Sequence, residues 1–472
     1  MRVGPLAWSF LFFACSSDPV EDGGVDAGPG DGGSGSGLAI RAGGPEDELA
    51  KDVAALGLGW VVVGSFEGAA NFGDRTLTSA GDEDGFIAAY NQGGELRYAL
   101  GVGGDGRDDA RAVATLADGT SLVTGIFEGE LTIGGTTLTA SGSVDGYLLR
   151  ISPAGQVEWA KRFGGAGFDD PRGLDVANDG VVLIGGAFGG RLVLGPGEAG
   201  ELILPNGGET ENGFVASFSS NGEARWGAVA GGIAASRVQD VVFLADGSVL
   251  VGGSYLNTIT FGAGASAVTL TTGFADNAVI AHYGSDGAFR SAFQFGADNG
   301  SDFVERLLAR SDGGYDVVGT YSSPTLLFPG GASLTAQART DFFVARFGSD
   351  DQATWARSIG GGDFDSATGI APGPNGGVWV AGHVRGGGEV TFAPGAPGSV
   401  VKTSPGFGDA FFAAFAADGT LSAASLLGGP GLDTAAGVAP GPVLVGSFSQ
   451  QLAAPPGSLE SAGGFDLFAI TP

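Results

Sequence analysis

The chain has 472 residues, which is long for one ordinary domain and indicates either several domains or one repeat array. Its 92 Gly and 21 Pro approach a low-complexity composition, but 43% hydrophobic and 10% aromatic residues exclude a disordered chain and indicate a turn-rich β protein. The formal charge of −30 argues against nucleic acid and anionic membrane surfaces as partners, and one Cys with two His excludes an internal disulfide and a Cys/His metal cluster.

The first 14 residues predict a signal peptide. The apolar stretch at residues 3–14 is too short to span a bilayer and has the length of a signal-peptide core. Because Cys15 follows directly, the segment resembles a bacterial lipoprotein signal. That resemblance implies removal of residues 1–14, diacylation of Cys15 and anchoring in the cell envelope, at the outer membrane or cell surface. The alternative is an ordinary secretory signal with an incidental Cys.

A tether is predicted after the signal. Residues 16–37 (SSDPVEDGGVDAGPGDGGSGSG) hold eight Gly and five acidic residues with almost nothing apolar. Such a segment behaves as a flexible coil and would span on the order of 25 Å. We therefore predict residues 15–37 to be a lipidated Cys with a disordered spacer, which holds a folded domain away from a membrane.

The rest of the chain repeats one unit seven times. Its clearest mark is a Gly at the end of an apolar run, usually followed two residues later by Phe or Tyr, as in VVVGSF and LVGGSY. The interval between successive marks is 61 to 67 residues. The seven glycines are Gly64, Gly125, Gly186, Gly253, Gly319, Gly382 and Gly446.

Each unit predicts four strands. Segments such as RGLDVA, VVLIGGAF, GFVASF and VEWAKRF are short and apolar, Asp-Gly or Asn-Gly turns follow many third strands, and a longer excursion separates the second and third strands. Four antiparallel strands repeated about every 64 residues are typical of a β-propeller blade, whose faces are buried against neighbouring blades.

Four motifs point to one family. GG-x-G-x-D, ADG-x-x-x-V-x-G, D-x-F-V-A-x-F and G-x-x-x-W-A resemble the SBBP repeat of bacterial surface proteins over residues 38–472. The resemblance implies an all-β, seven-bladed β-propeller of four-stranded antiparallel blades, in a family without common catalytic residues. LAIRAGG at 38–44 aligns with WAKRFGG at 159–165, while the seventh unit ends without a fourth strand. We predict that the N-terminal strand completes the last blade and closes the ring.

The GG-x-G-x-D motif also opens the calcium-binding nonapeptide of parallel β-rolls. Here it recurs every 61 to 68 residues rather than every nine, which excludes a β-roll and places the motif between one blade's outer strand and the next blade's inner strand. Its acids are expected to share one face with the long excursions, around the channel mouth, with Asp109 and Asp170 alongside. They are Asp47, Asp108, Asp169, Asp302, Asp365 and Asp433, with Ser236 in the fourth unit.

These acids are open to two interpretations, structural turns or a ligand-binding face. Asp accepts backbone N–H groups in tight turns, and acids on different blades of a seven-fold ring lie too far apart to share one calcium ion. We therefore expect structural turns, no tight calcium site, no metal and no cofactor, and we keep the acids as a candidate binding face.

No catalytic set can be assembled from the sequence. His282 and His383 align with ordinary strand residues of other units, and no Ser/His/Asp set or phosphate-binding loop is present in the sequence. The sequence favours a monomeric, non-catalytic binding or adhesion scaffold with an unknown protein or polysaccharide ligand. The alternative is a propeller hydrolase or lyase acting on extracellular polysaccharide through channel-lining carboxylates.

Overall fold

The computed structural model describes residues 37–205, 210–297, 299–454 and 457–471. Within these ranges the chain forms 40 β-strands, β1–β40, and two single 3-10 turns, Gly264–Ser266 and Pro374–Gly376. Neither turn is long enough to cross a bilayer, and no other helix occurs in the described part of the chain.

β1 (Ala39–Ala42) belongs to blade 7, and blades 1 to 4 follow it in the chain. Blade 1 comprises β2 (Glu48–Leu56), β3 (Gly59–Phe66), β4 (Ala69–Phe72), β5 (Arg75–Thr78), β6 (Asp84–Tyr90) and β7 (Leu96–Val102). Blade 2 comprises β8 (Asp109–Thr115), β9 (Ser121–Phe127), β10 (Glu130–Ile133), β11 (Thr136–Thr139), β12 (Asp145–Ile151) and β13 (Val157–Phe163). Blade 3 comprises β14 (Asp169–Val176), β15 (Val182–Phe188), β16 (Leu192–Leu194), β17 (Leu202–Leu204), β18 (Asn212–Phe218) and β19 (Ala224–Gly232). Blade 4 comprises β20 (Ser236–Phe243), β21 (Val249–Tyr255), β22 (Thr258–Phe261), β23 (Val268–Thr271), β24 (Asn277–Tyr283) and β25 (Phe289–Phe295).

Blades 5 to 7 complete the chain. Blade 5 comprises β26 (Asp302–Ala309), β27 (Tyr315–Tyr321), β28 (Thr325–Leu327), β29 (Ser333–Thr335), β30 (Asp341–Phe347) and β31 (Ala353–Gly360). Blade 6 comprises β32 (Phe364–Pro372), β33 (Val378–Arg385), β34 (Gly388–Phe392), β35 (Val400–Ser404), β36 (Gly408–Phe415) and β37 (Leu421–Leu427). Blade 7 comprises β38 (Asp433–Ala439), β39 (Val443–Ala454), β40 (Gly457–Ile470) and β1.

Every blade is a four-stranded antiparallel sheet, as predicted. In blade 1 the sheet order is β2-β3-β6-β7, which we call the inner, second, third and outer strands, and the other blades follow the same order. The predicted excursion is a side hairpin, such as β4 and β5, between the second and third strands. The seven-bladed β-propeller is thereby confirmed.

The two ends of the propeller pair in one sheet. β1 lies antiparallel to β40, with Ala39 opposite Ile470 and Ala42 opposite Leu467, so β1 is the outer strand of blade 7. Ring closure by the N-terminal strand is confirmed. It leaves no blade without neighbours on both faces, which removes the exposed edges that an open array would have.

The core lies between blades. Every residue of the second strands β3, β9, β15, β21 and β27 is buried except Gly59. Val61 of blade 1 packs in one cluster with Val123 and Tyr147 of blade 2. Since both faces of each sheet are covered by neighbours, these strands read as continuous apolar runs rather than as alternating patterns.

Tryptophans on three outer strands connect neighbouring blades. Trp159 Nε1 donates to the Ser220 carbonyl at 3.3 Å, in the turn between the third and outer strands of the next blade. Gly222 in that turn has φ +77° and lies against the indole ring, where a Cβ would come within 3.0 Å of the Trp159 side chain. The Asn-Gly turn therefore serves both the backbone conformation and the contact between blades. Trp226 and Trp355 donate in the same way, to the Ser285 carbonyl at 3.1 Å and the Ala417 carbonyl at 3.0 Å.

Two opposite faces follow from this connectivity. The loops from each outer strand to the next inner strand lie on the same face as the connections between second and third strands, and we call this the upper face. The tight turns between inner and second strands, and between third and outer strands, form the lower face.

Candidate binding site at the channel mouth

Each of the seven inner strands contains a β-bulge at the same position. In β2 the pairing with β3 shifts between Ala50 and Asp52, which leaves Lys51 as the extra residue. A bulge re-aims the side chain of its extra residue, and here all seven extra residues line one cavity on the propeller axis. We call these residues the bulge ring: Lys51, Arg111, Arg172, Gln239, Glu305, Thr368 and Ala436.

The cavity has a volume of about 470 Å³ and opens towards the upper face. Besides the bulge ring it is lined by Arg107, Asp109, Arg306 and His383, among others. Five of the chain's 22 Lys and Arg residues line it, against two of its 52 acidic residues. A chain of charge −30 thus places a basic cavity at its centre.

The basic side of the cavity is held by a chain of hydrogen bonds from blade 2 to blade 5. Asp170 accepts hydrogen bonds from Arg111 and from Arg172, whose Nε lies 2.9 Å from Asp170 Oδ2. Arg172 Nη1 donates to Gln239 Oε1 at 2.9 Å, and Gln239 Nε2 donates to Glu305 Oε2 at 3.0 Å. These bonds fix four ring side chains in place, so the lining is preorganised.

Two cations of the lining lack a close carboxylate. Within the described part of the chain, no Asp or Glu oxygen lies within 4.0 Å of the Lys51 or Arg306 side-chain nitrogens. Arg306 lies at the floor, where its charge acts on Asp52 and Asp240. Burial raises the pKa of Asp240 to about 7, although the Arg306 charge and two backbone N–H groups oppose the shift.

The opposite side of the cavity is small and uncharged. Blades 6 and 7 contribute Ser366, Thr368, Thr434 and Ala436. His383 lies there on β33, where burial and the neighbouring Arg385 charge lower its pKa to about 4. Because His383 is neutral at physiological pH, this side offers hydroxyl, methyl and imidazole groups without charge.

The predicted acids lie at the blade junctions, not in this cavity. Asp108 accepts the Gly104 N–H at 2.7 Å through Oδ2 and the Glu128 N–H at 3.2 Å through Oδ1. Four others accept a backbone N–H of their own loop: Asp169 from Gly165 at 2.7 Å, Asp302 from Ala297 at 3.0 Å, Asp365 from Gly361 at 3.2 Å and Asp433 from Gly429 at 2.8 Å. All five are buried.

The prediction that Asp47 belongs to this column was wrong. The corresponding position in the first unit is Glu48, whose Oε2 accepts the Gly44 N–H at 2.8 Å. Asp47 is one residue too early and instead accepts the Phe465 N–H at 2.8 Å. The longer Glu side chain reaches the same amide, so the unit keeps the contact with a different acid. The junction column is therefore Glu48, Asp108, Asp169, Ser236, Asp302, Asp365 and Asp433.

A second polar residue faces each member of the junction column. In six junctions it is the first or second residue of the third strand of the preceding blade, and in blade 7 it is Asp466 within the longer β40. Five of the seven junctions bring two acids together. Burial and the facing carboxylate raise the pKa of Asp108, Asp169, Asp365 and Asp433 to about 7 and that of Glu48 to about 8. The facing residues, in chain order, are Asp84, Asp145, Asn212, Asn277, Asp341, Asp409 and Asp466.

The first Gly of the GG motif makes room for these acids. A Cβ at Gly360 would lie 2.0 Å from Asp341 Oδ1, and one at Gly428 would lie 1.6 Å from Asp409 Oδ1. The first position of the motif therefore requires Gly, because a carboxylate from the preceding blade occupies the space that a Cβ would need. Among the described residues, no group of three or more His, Cys, Asp and Glu side chains is arranged to hold a metal ion.

The upper face also exposes large apolar side chains. They lie in the blade-connecting loops or shortly before third strands, and exposed apolar groups of this size on one face often mark a contact surface. They are Phe168, Ile233, Phe274, Phe364 and Phe407. The lower face has a cavity of about 560 Å³ between blades 3, 4 and 5, lined largely by turn residues.

The bulge ring was missed from sequence although the repeat contained a signal for it. Each ring residue lies three positions after its junction-column residue, as Lys51 does after Glu48 and Arg172 after Asp169. Residue types in that column differ between units, so similarity between repeats gave no reason to select it. Asp109 and Asp170, noted beside the acids, do reach the site, as cavity lining and as partner of two arginines.

Comparisons with known proteins give distant likenesses. No family model matches the chain. An alignment of 324 residues, which covers 64% of this chain, shows 26% identity to the regulatory protein FlaEY of Caulobacter vibrioides and spans 33% of that protein's length. A protein of unknown function from Bacteroides caccae is 13% identical over 72% of this chain and 89% of its own, with a TM-score of 0.35. The Pan2 WD40 domain of Neurospora crassa is 13% identical over 58% of this chain and 86% of its own, with a TM-score of 0.22.

Proposed function

We propose that this protein is a non-catalytic binding scaffold that receives its ligand in the central cavity of the upper face. The observation that carries the proposal is the bulge ring, because seven equivalent positions of one repeat present side chains of six different types to one cavity. A rigid sheet framework with variable groups at a single site is typical of proteins that bind rather than of repeats that only support each other.

We further propose that the scaffold is a monomeric SBBP-type propeller held outside the cytoplasm by a lipid on Cys15. The support is in the sequence: the apolar segment before Cys15, the Gly- and Asp-rich residues 16–37 and the four repeat motifs. Cys15 and residues 1–36 lie outside the described residues. Detergent partition tests the anchor: Cys15→Ser should move the protein from the membrane to the soluble fraction, and unchanged membrane retention would contradict it.

Binding is favoured over catalysis by the state of the acids in the cavity. Glu305 Oε2 accepts a hydrogen bond from Gln239 Nε2 at 3.0 Å, and Asp109 Oδ2 lies 3.4 Å from Arg111 Nε. A hydrolase or lyase needs a carboxyl group or base that is free to move a proton at the substrate. His383 does not supply such a base either, because burial lowers its pKa to about 4 and leaves it a weak base.

A variant that fills the cavity tests the proposed function. The full chain would be applied to an array of purified bacterial polysaccharides and synthetic peptides, together with Ala436→Trp, which places an indole on the small side of the ring. Ala117→Trp, on an exposed turn of the lower face that lines neither cavity described above, is the matched control. We expect retention on the array by the wild type and the control, and at least tenfold weaker retention by Ala436→Trp.

Two results would contradict the proposal. One is retention that Ala436→Trp leaves unchanged, which would place binding elsewhere on the molecule. The other is release of new reducing ends or unsaturated products from a retained polysaccharide, which would favour the hydrolase or lyase. Both are measured on the same array with the same three proteins.

A further inference from the structure

The charge of the central cavity is divided between two sides. Lys51, Arg107, Arg111 and Arg172 come from blades 1 to 3, whereas blades 6 and 7 contribute uncharged side chains. Arg306 lies at the floor between them. A ligand that matches this surface carries its negative charge at one end and uncharged groups at the other.

The cations differ in how far they are already neutralised. Arg107 has its Nε 2.6 Å from Glu83 Oε2, and Arg111 and Arg172 share Asp170. Lys51 and Arg306 have no carboxylate within 4.0 Å in the described part of the chain. Arg306 Nη1 donates to the Glu305 carbonyl at 2.9 Å, and its other N–H groups and the Lys51 ammonium group remain for a ligand.

We propose that the group bound at the basic side of this cavity is a carboxylate, held by Lys51 with Arg306 beneath it. This inference rests on the proposed function, because it specifies the chemistry of the same site. The Arg111–Asp170–Arg172 network positions the wall, and the Thr368 and Ala436 side holds the uncharged remainder of the ligand.

The number of charges points to one or two carboxylates rather than to a polyanion. Glu83, Asp109, Asp170 and Glu305 already offset part of the five basic side chains around the cavity, and Asp52 and Asp240 lie near Arg306 below it. A phosphate-rich polymer would also meet repulsion from a chain of charge −30 before it reached the mouth. A small carboxylate, or a sugar that carries one, has a lower charge and therefore meets both obstacles to a smaller extent.

The test is calorimetric titration of the full chain at low ionic strength. Succinate and galacturonate represent a free carboxylic acid and a carboxylated sugar, and succinamide and galactose are their uncharged counterparts. We expect binding of at least one carboxylate, at least tenfold weaker binding of its counterpart, and weakening with added salt.

Lysine variants connect the binding to the site. Lys51→Met should weaken carboxylate binding at least tenfold while the protein still folds, because Asp109 loses the Lys51 charge but keeps Arg111 at 3.4 Å. Lys402→Met, on the side-hairpin strand β35, is the matched control and should bind like the wild type. Which probe binds decides between the free acid and the sugar.

Failure of this inference is distinguishable from failure of the proposed function. Absence of carboxylate binding, or equal binding by Lys51→Met and wild type, overturns the carboxylate. If an uncharged array ligand is lost on Ala436→Trp but retained by Lys51→Met, the cavity is the binding site and the carboxylate assignment is wrong. Carboxylate binding that Ala436→Trp leaves intact contradicts both.

Discussion

Each blade has two positions, three residues apart at the start of its inner strand, that differ in how much the residue type varies between blades. The first is the junction column, which is acidic in six of seven blades, as at Asp433. The second is the bulge ring, which carries Lys, Arg, Gln, Glu, Thr or Ala, as at Ala436. Both belong to the same sheet and the same repeat, so the difference comes from what each side chain meets.

A junction side chain meets the neighbouring blade, whereas a ring side chain meets the channel. Asp433 accepts the Gly429 N–H and lies beside Asp409, in a space that Gly428 leaves open. An acid accepts a backbone N–H of its own loop at six of the seven junctions, and this geometry restricts the residue type. The bulge turns Ala436 away from every such partner, so its position can change without disturbing the blade.

The largest expected effect comes from filling the space at a junction. A Cβ at Gly103 would lie 2.3 Å from Asp84 Cγ, so Gly103→Ala should destabilise the protein by about 3 kcal/mol and lower its melting temperature. Gly101→Ala, two residues earlier on the outer strand β7, is the control because its Cβ would have no neighbour closer than 4.0 Å. Equal melting temperatures for the two variants, measured by differential scanning calorimetry, would show that the junction is not tightly filled.

A direct contrast between the two positions is available on β20. Ser236 is buried, accepts the Gly213 N–H at 3.2 Å and donates to the Ala230 carbonyl at 2.7 Å, so Ser236→Ala leaves two backbone groups unpaired and should cost about 2 kcal/mol. Gln239→Ala removes side-chain hydrogen bonds at the cavity and should cost less than about 1 kcal/mol. Urea unfolding of both variants checks the order, and the reverse order would refute the comparison.

The smallest effect is a pH dependence specific to the acid pairs. Burial raises the folded-state pKa of Asp433 to about 7, while an unfolded Asp has a pKa near 3.9. Between these values the folded state binds more protons, so stability falls as the pH rises through that window. His383 opposes this trend below about pH 6.5, because its folded pKa is lowered to about 4 and the unfolded chain binds the extra proton.

An amide substitution isolates this contribution. Asp433→Asn keeps an oxygen for the Gly429 N–H and removes the titrating group. The junction of blades 4 and 5 is a natural counterpart, because there an amide, Asn277, faces the acid Asp302. We expect the loss of stability between about pH 4 and pH 7 to shrink by at least about 1 kcal/mol in this variant. Asn212→Asp would do the opposite at the uncharged junction of blades 3 and 4, and unchanged pH profiles for both variants would contradict the assignment.

The sequence by itself determined the architecture, because its evidence was local and repeated. Spacing of apolar runs, Gly and turns predicted four strands per unit, seven units and closure by the N-terminal strand, and pairing of Ala39 with Ile470 agrees. Five of the six predicted acids lie in the junction column, and the sixth, Asp47, was displaced by one residue because Glu48 was not counted as an equivalent acid.

The tertiary structure alone decided where the cavity is and what lines it. A β-bulge is a shift in the pairing of two strands, and the residue types of Lys51, Gln239 and Thr368 do not predict it. These residues are far apart in the chain and meet only because closing the ring brings seven inner strands around one axis. Repetition therefore predicted the framework, whereas the basic cavity depends on long-range contacts between positions at which the repeats differ.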